Sequence, residues 1–338
     1  MNPAGHPFAD RRTRVLGMHE VRELLSMPDV IEIQRRAFIA LAAGKTEAAP
    51  NSWLRLPGER RGWLKLLAGY DATTSGLGVK VLARFPQNPP GANLGSLLLL
   101  FDDDNGFPLA IMDGVYVTAV RTGAGAALAT EALARSSATS IGLVGTGVVA
   151  WHSLAALKIA VPRLTSLRVF SRSVERRREL VRRAVGELGL EARAAGTVED
   201  ALQGADVVVT ATNSPTPVLL PHHVEAGQHI NAMGIRTEVA PEVMASSMVV
   251  GDGREETITD GKFSVALAAG TVTSADLGPE LGELLSGEAR GRESDSEVTL
   301  FDSSGVAIQD VACARYVWER AEEADVGRRV DLGLDDGP

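Results

Sequence analysis

Apolar positions follow different periods in the two halves of the chain. Over residues 18–45, "MHEVRELLSMPDVIEIQRRAFIALAAGK", they recur at helical spacing and predict two amphipathic helices, the second starting at Pro28 and Asp29. "NSWLRLPGERRGWLKLLAGYD" (51–71) reads as two strand-like runs joined by a polar turn. "GVKVLARFP" (78–86) and "GSLLLLFDDDNGFPLAIMDG" (95–114) continue as strands, with Asp104, Asn105 and Gly106 forming a hairpin turn. A mostly antiparallel sheet is therefore expected before residue 120, and the helix-like stretch near 306–325 is expected to pack back onto it.

From residue 140 the pattern changes to short apolar runs alternating with helical stretches. In "SIGLVGTGVVAWHSLAALKIA" (140–160), Ile141 to Val144 read as a buried parallel strand, and Ala150, Leu154, Leu157 and Ala160 recur at helical spacing. Gly145 and Gly147 fall at the joint, with Ala150 in the third small position of G-x-G-x-x-G/A. Bare backbone there can approach a pyrophosphate, and the helix start offers free N–H groups. The next strand, "SLRVFSRS" (166–173), ends about 20 residues on, where an Asp or Glu would take the ribose 2′-hydroxyl of NAD. Ser171 and Arg172 stand there instead, and a hydroxyl beside a guanidinium suits a 2′-phosphate, so NADP(H) is favoured with NAD(H) possible. Arg176, Arg177 and Arg178 read as a solvated helix face. "ADVVVTATNSPTPVL" (205–219), "HINAMGI" (229–235) and "SSMVVGDG" (246–253) repeat the strand-then-loop pattern, which predicts a doubly wound parallel sheet with ligand at its C-terminal edge.

Composition narrows the class. With 338 residues, 45% apolar and 23% charged, the chain suits a soluble enzyme of two lobes. A formal net charge of −9 speaks against nucleic acid or an anionic membrane as partner. The apolar stretch around "LGSLLLLF" is too short to span a bilayer, and "MNPAGHPFADRRTRV" lacks the apolar core of a signal peptide. The single cysteine, Cys313, allows no internal disulfide and reads as a small buried residue, so a cytoplasmic setting is expected. His222 and His223 have no partner at ligand spacing, so no metal site is expected. Trp151 and His152 are expected to pack in the first helix of the nucleotide lobe, and Asp102 to Asp104 to serve a turn.

The motifs "GVKVLARFPQNP", "LLLLFDDDNGFPLAIMDG", "VTAVRTGAGAALAT", "IGLVGTGVVA", "ADVVVTAT", "HINAMG" and "LGELLSGEARGRESDSEVTLFDSSGVAIQDVA" together resemble the ornithine cyclodeaminase/mu-crystallin family over nearly the whole chain. The resemblance implies an α/β fold in which a Rossmann domain, residues 123–305, is inserted in an α+β substrate-binding and dimerisation domain, residues 1–122 plus 306–338. It also implies a homodimer and hydride chemistry at the C–N bond of an amino or imino acid. Lys80 matches the family's active-site lysine, which could polarise C=N or C=O and shuttle a proton. Arg121 matches its carboxylate-binding arginine, a planar bidentate donor. Cofactor contacts are implied for Thr122, Gly145, Thr146, Gly147, Val148, Ser171, Arg172, Thr210, Ala211, Thr212, Met233, Gly234, Ser304 and Gly305. The last two match the stretch beside the nicotinamide ring.

Several positions depart from the family pattern. A second carboxylate-binding arginine is replaced by Asn51, and a threonine by Asn93. Where cyclodeaminases carry an aspartate that handles the substrate amine, this chain has Arg236, with Glu238 nearby. An arginine cannot act as that general base. It would repel a diamino acid's ammonium and attract a second anionic group, and Lys65 adds a cation to the first sheet. The expectation is therefore an imine reductase or amino acid dehydrogenase. The alternatives are an ammonia-releasing cyclodeaminase using bound NAD and a non-catalytic NADPH-binding protein like mu-crystallin.

Overall fold

The computed structural model describes residues 12–58, 61–89 and 92–333. Most of the opening segment, in which no signal peptide is expected, and the last five residues lie outside these. In chain order the elements are β1 (Thr13–Leu16), α1 (Met18–Leu24), α2 (Met27–Ala42), β2 (Thr46–Ala48), β3 (Ser52–Arg55), β4 (Trp63–Asp71), β5 (Gly76–Arg84), β6 (Leu94–Phe101), β7 (Pro108–Asp113) and α3 (Gly114–Leu133). Then follow β8 (Ser140–Val144), α4 (Val148–Ala160), β9 (Ser166–Phe170), α5 (Val174–Leu188), β10 (Glu191–Ala194), α6 (Val198–Leu202), β11 (Val207–Thr210) and β12 (His229–Ala232). The rest are α7 (Pro241–Ala245), β13 (Met248–Gly251), α8 (Arg254–Thr259), α9 (Lys262–Ala268), β14 (Leu277–Glu280), α10 (Leu281–Ser286), β15 (Thr299–Asp302), α11 (Ala307–Ala324) and β16 (Arg328–Val330).

The chain divides into two compact units, one of residues 1–26, 45–118 and 307–338, the other of 27–44 and 119–306. In the first, β16-β1-β7-β6-β5-β4-β2 form one mixed sheet, with β3 also paired to β4. The strands from β4 to β7 are antiparallel neighbours, as the alternating sequence predicts. Asp102 closes the β6–β7 hairpin by accepting the backbone N–H groups of Asp104 (3.0 Å) and Asn105 (3.2 Å), and Gly106 takes φ +77°. Helix α11 lies on one face, where the bare backbones of Gly69 and Gly78 let Ala307 and Val311 approach. The opposite face carries the cross-strand rows Leu66–Val81–Leu97 and Ala68–Val79–Leu99–Ile111. Leu97 remains 51% exposed and Leu66 37%.

In the second unit β10-β9-β8-β11-β12-β15-β13-β14 form a wholly parallel sheet. Its strands are buried apolar runs flanked by helices, and Val208, Ile230, Val249 and Leu300 sit in its core. Local signals set the helix ends: Ser173 Oγ accepts from Arg176 N at 3.2 Å to start α5, and Gly189 at φ +63° ends it. The segment 27–44 groups with this unit rather than with the N-terminal sheet that follows it in sequence. At Gly282 a Cβ would stand 2.0 Å from the Phe38 carbonyl oxygen, so glycine there lets α10 pack on α2, and Arg35 pairs with Glu131 at 2.6 Å.

Candidate active site

The order of strands reverses between β8 and β11, the switch point at which open parallel sheets bind ligands. Gly145 follows β8 there with φ +122°, and a Cβ on it would lie 2.4 Å from the Ala211 carbonyl oxygen. Glycine is thus required at 145 by the protein itself. Gly147 is different. It is extended, exposed and has nothing within 4 Å of where a Cβ would stand. The protein leaves open space at that point, and no side chain caps the first turn of the 13-residue helix α4. Open space, free N–H groups and the helix dipole fit a pyrophosphate.

The other expected cofactor residues line the same edge of this sheet. Thr146 Oγ1 donates to Ser171 Oγ at 3.2 Å, so the glycine turn and the β9 tip are adjacent, and Arg172 is exposed beside them. Arg177 departs from the expected solvated face: it is half-buried, donates to the Ala195 carbonyl and lies 5.5 Å over the Phe170 ring. Thr210, Ala211 and Thr212 close β11, and Met233 and Gly234 close β12.

Glu238 ties these tips together. Its carboxylate accepts from Thr210 Oγ1 (2.9 Å), Thr212 N (2.9 Å), Thr212 Oγ1 (2.9 Å) and Gly234 N (2.6 Å). The side chain is wholly buried, and burial pushes its pKa up against the pull of Lys262 and of these donors. Gly234 must be glycine, since a Cβ there would be 2.3 Å from the Thr212 carbonyl oxygen. In the sequence Glu238 stands out only as a neighbour of Arg236. The structure points Glu238 inward and leaves Arg236 exposed.

A second support lies under Ser304 and Gly305. Buried Asp252 accepts from Ser304 Oγ and from Gly305 N at 2.7 Å. Gly305 has φ +86°, and a side chain on it would begin 3.2 Å from Arg121 Nη2. Arg121 is 95% buried and lies within α3. The small residues after it have a packing role: a Cβ on Gly123 would stand 2.5 Å from the His152 backbone in α4. Thr122 follows Arg121, also buried.

Lys80 stands on the first sheet. It points to the α11 side, is 1% exposed, and its Nζ lies 2.5 Å from Oδ2 of fully buried Asp310. The carboxylate stabilises the ammonium and restricts its position. Sequence reasoning missed Asp310, although an acidic residue inside the apolar turn "VAIQDVACA" was a usable signal.

Glu199, His222 and His223 bring their ligand atoms within 4.8 Å of one another, a grouping that local spacing could not reveal. His223 Nδ1 accepts from Leu220 N at 3.1 Å, which places the ring proton on Nε2, facing Glu199 Oε1 at 3.2 Å. Binding a metal through Nε2 would require that proton to leave while Nδ1 still faces an N–H. The arrangement therefore serves a hydrogen bond. Glu199's pKa is held down at about 2, first by its own backbone N–H and then by His223.

A wholly parallel nucleotide-binding sheet with a glycine cradle, in a chain whose other, mixed sheet bears the buried Lys80, defines an NAD(P)-binding α/β protein of two units. The profile of the Ornithine cyclodeaminase/mu-crystallin family matches residues 11–325, and the chain belongs to that family. Among solved structures it is similar to Delta(1)-pyrroline-2-carboxylate reductase of Thermococcus litoralis in complex with NADH and L-proline (29% identity, 94% of this chain and 100% of that one, TM-score 0.90). It is also similar to an archaeal alanine dehydrogenase dimer with bound NAD (32%, 95% and 99%, 0.89). A third is the iminosuccinate reductase of Paracoccus denitrificans in complex with NAD+ (29%, 95% and 100%, 0.85). Among the described residues no helix is long and apolar enough to cross a membrane.

Proposed function

We propose that this chain is an NAD(P)H-dependent oxidoreductase that moves hydride at the C–N bond of a small amino or imino acid, as an imine reductase or amino acid dehydrogenase. The observation that carries the reading is Lys80, an ammonium buried on the first sheet and held at 2.5 Å by Asp310, in a chain that also carries the Gly145–Gly147 cradle. The bound dinucleotide supplies the hydride. Arg121 grips the substrate α-carboxylate, Gly305 leaves room beside that guanidinium, and Lys80 polarises the C=N group and passes a proton to nitrogen. Thr122, the glycine turn, the β11 and β12 tips and Ser304 hold the dinucleotide. Arg236 in place of the amine-handling aspartate favours redox chemistry over ammonia elimination. A panel of α-keto acids with amines, cyclic imines and diamino acids, each with NADPH or NADH, tests this. Net cofactor oxidation is expected with the imines, and ammonia release from diamino acids without it would overturn the reading.

The preferred cofactor in this proposal is NADP(H), although the similar structures hold NAD or NADH. Ser171 and exposed Arg172 present a hydroxyl and a cation at the β9 tip, where a ribose-binding carboxylate would exclude a phosphate. NADPH should bind more tightly than NADH. Arg172→Ala should weaken NADPH selectively, by about 1.5–3 kcal/mol, the worth of a charge-assisted hydrogen bond. Equal or tighter NADH binding to the wild-type protein, by fluorescence titration, would contradict it.

The protein is also proposed to be a homodimer built by its N-terminal sheet. The rows Leu66–Val81–Leu97 and Ala68–Val79–Leu99–Ile111 make a contiguous apolar face opposite α11. A second copy would cover it. Light scattering should give twice the chain mass at micromolar concentration, and Leu97→Glu should shift the protein to monomer. A wild-type monomer would count against this assembly.

A further inference from the structure

We infer that Asp252 and Lys262 are positioning residues for the nicotinamide half of the dinucleotide: they clamp the turn of residues 303–305, on which the ring is seated. The inference deepens the reductase reading and rests on it. Every group involved belongs to the second unit. Ser303 N donates to the Ala232 carbonyl oxygen at 3.2 Å, which ties the turn to the β12 tip. The Ser303 carbonyl oxygen accepts from Lys262 Nζ at 2.7 Å. Ser304 Oγ donates to Asp252 Oδ1, and Gly305 N donates to Asp252 Oδ2 at 2.7 Å. Asp252 is fully buried and Lys262 is 2% exposed, so neither is a surface charge.

The clamp follows from strand order. β13 and β15 are parallel neighbours with Gly251 opposite Asp302, so their ends bring two carboxylates, Asp252 and Asp302, to one edge of the sheet. Lys262, the first residue of α9, answers them. Its Nζ lies 3.4 Å from Asp302 Oδ1, and Asp302 Oδ2 accepts from Phe263 N at 2.8 Å. Burial pushes the Asp302 pKa up, the Lys262 ammonium opposes that, and Asp252 adds to it. Closing a three-residue turn requires no buried charge, and each such charge is costly to take out of water. Charge-assisted hydrogen bonds are also shorter and stronger than neutral ones, so these partners fix the turn more tightly than neutral groups would.

The place of the turn says what it holds. With the pyrophosphate at Gly147 and the adenosine ribose at the β9 tip, the other half of the dinucleotide runs across the β11 and β12 tips. Strands about 4.8 Å apart put the β12 tip about 10 Å from β8, with β15 next in line. Glu238 fixes the β11 and β12 tips, and the Ser303–Ala232 bond extends that fixed edge to the turn after β15. Gly305 is also the residue whose missing side chain leaves room beside Arg121 Nη2. The ring and the substrate carboxylate therefore meet at this turn, and its position sets the hydride distance.

Calorimetric titration tests this with two pairs of ligands: NADH against ADP-ribose, and NADPH against 2′-phospho-ADP-ribose. The second member of each pair lacks only the nicotinamide. Asp252→Ala should weaken the whole dinucleotide by about 10-fold, the lower end of the cost of a lost charge-assisted hydrogen bond, and leave the nicotinamide-free ligand at wild-type affinity. Asp252→Asn keeps the shape and an acceptor for Gly305 N, so it should lose less. Lys262→Met/Asp302→Asn, which removes the ammonium and the carboxylate facing it, should act in the same direction as Asp252→Ala. Ser304→Ala deletes one bond of the clamp with little disturbance of the core, and the same selective loss is expected there if the Asp252 variants do not fold. Equal losses on both members of a pair would make the clamp merely structural and overturn the inference, as would no loss in folded variants. Wild-type protein that binds ADP-ribose as tightly as NADH, and its 2′-phosphate as tightly as NADPH, would overturn it too. Each of these results leaves the reductase reading intact. Binding of none of the four ligands to the wild-type protein would overturn the reductase reading and this inference with it.

Discussion

Lys80→Met is expected to lower kcat by about 10²–10⁴-fold, the usual cost of losing a positioned proton donor, while NAD(P)H affinity stays close to that of the wild type. Lys80 belongs to the β5 strand of the first sheet, whereas Gly145, Gly147 and the tips joined by Glu238 belong to the second. Cofactor binding should therefore survive. The substitution also leaves Asp310 buried without its ammonium, and breaking a buried ion pair on one side typically destabilises by about 3–5 kcal/mol. The double variant Lys80→Met/Asp310→Asn removes that buried charge, so a lost rate in a well-folded double variant belongs to the chemistry. Near wild-type kcat in either variant, measured on an established substrate, would remove Lys80 from the mechanism.

Arg121→Ala is expected to raise KM steeply, with kcat falling as well because the α-carbon is no longer held in place. Removing a charge-assisted hydrogen bond at a buried site costs about 1.5–3 kcal/mol, or roughly 10–150-fold. Arg121 is 95% buried, and Gly305, which lacks a side chain, leaves room beside its guanidinium for a ligand. Arg121→Lys should fall between the two, keeping charge but losing the planar fork. Steady-state kinetics with unchanged KM in Arg121→Ala would show that the carboxylate is bound elsewhere.

What could be read in the sequence was local. The glycine cradle, the β9 tip and the β6–β7 hairpin each depend on residues within one turn or one strand, and their spacing carries the geometry. Elements held by distant partners were harder to see. β1 contains Arg14, a poor residue for a buried strand, and it is buried because Glu322 and the Val326 carbonyl receive its guanidinium. Strand β16, next to it in the sheet, was missed for the same reason. Helix α3 has no clear sequence signal because the glycines of "TGAGAA" make it weakly helical in isolation. Its glycine at 123 makes sense only against α4. Asp310 and Glu238 are similar cases. Each is an acidic residue whose burial depends on donors far along the chain or on a neighbouring strand tip, and neither periodicity nor motif spacing predicts that.

Hydride is expected to pass from the dinucleotide to the α-carbon of an imine. The most direct measurement supplies NAD(P)H deuterated at the transferable position, with an α-keto acid and ammonia, and follows the amino acid product by mass spectrometry. One deuterium at the α-carbon is expected for each dinucleotide oxidised. An amino acid product without deuterium, or ammonia released from a diamino acid with no net oxidation of the cofactor, would contradict it.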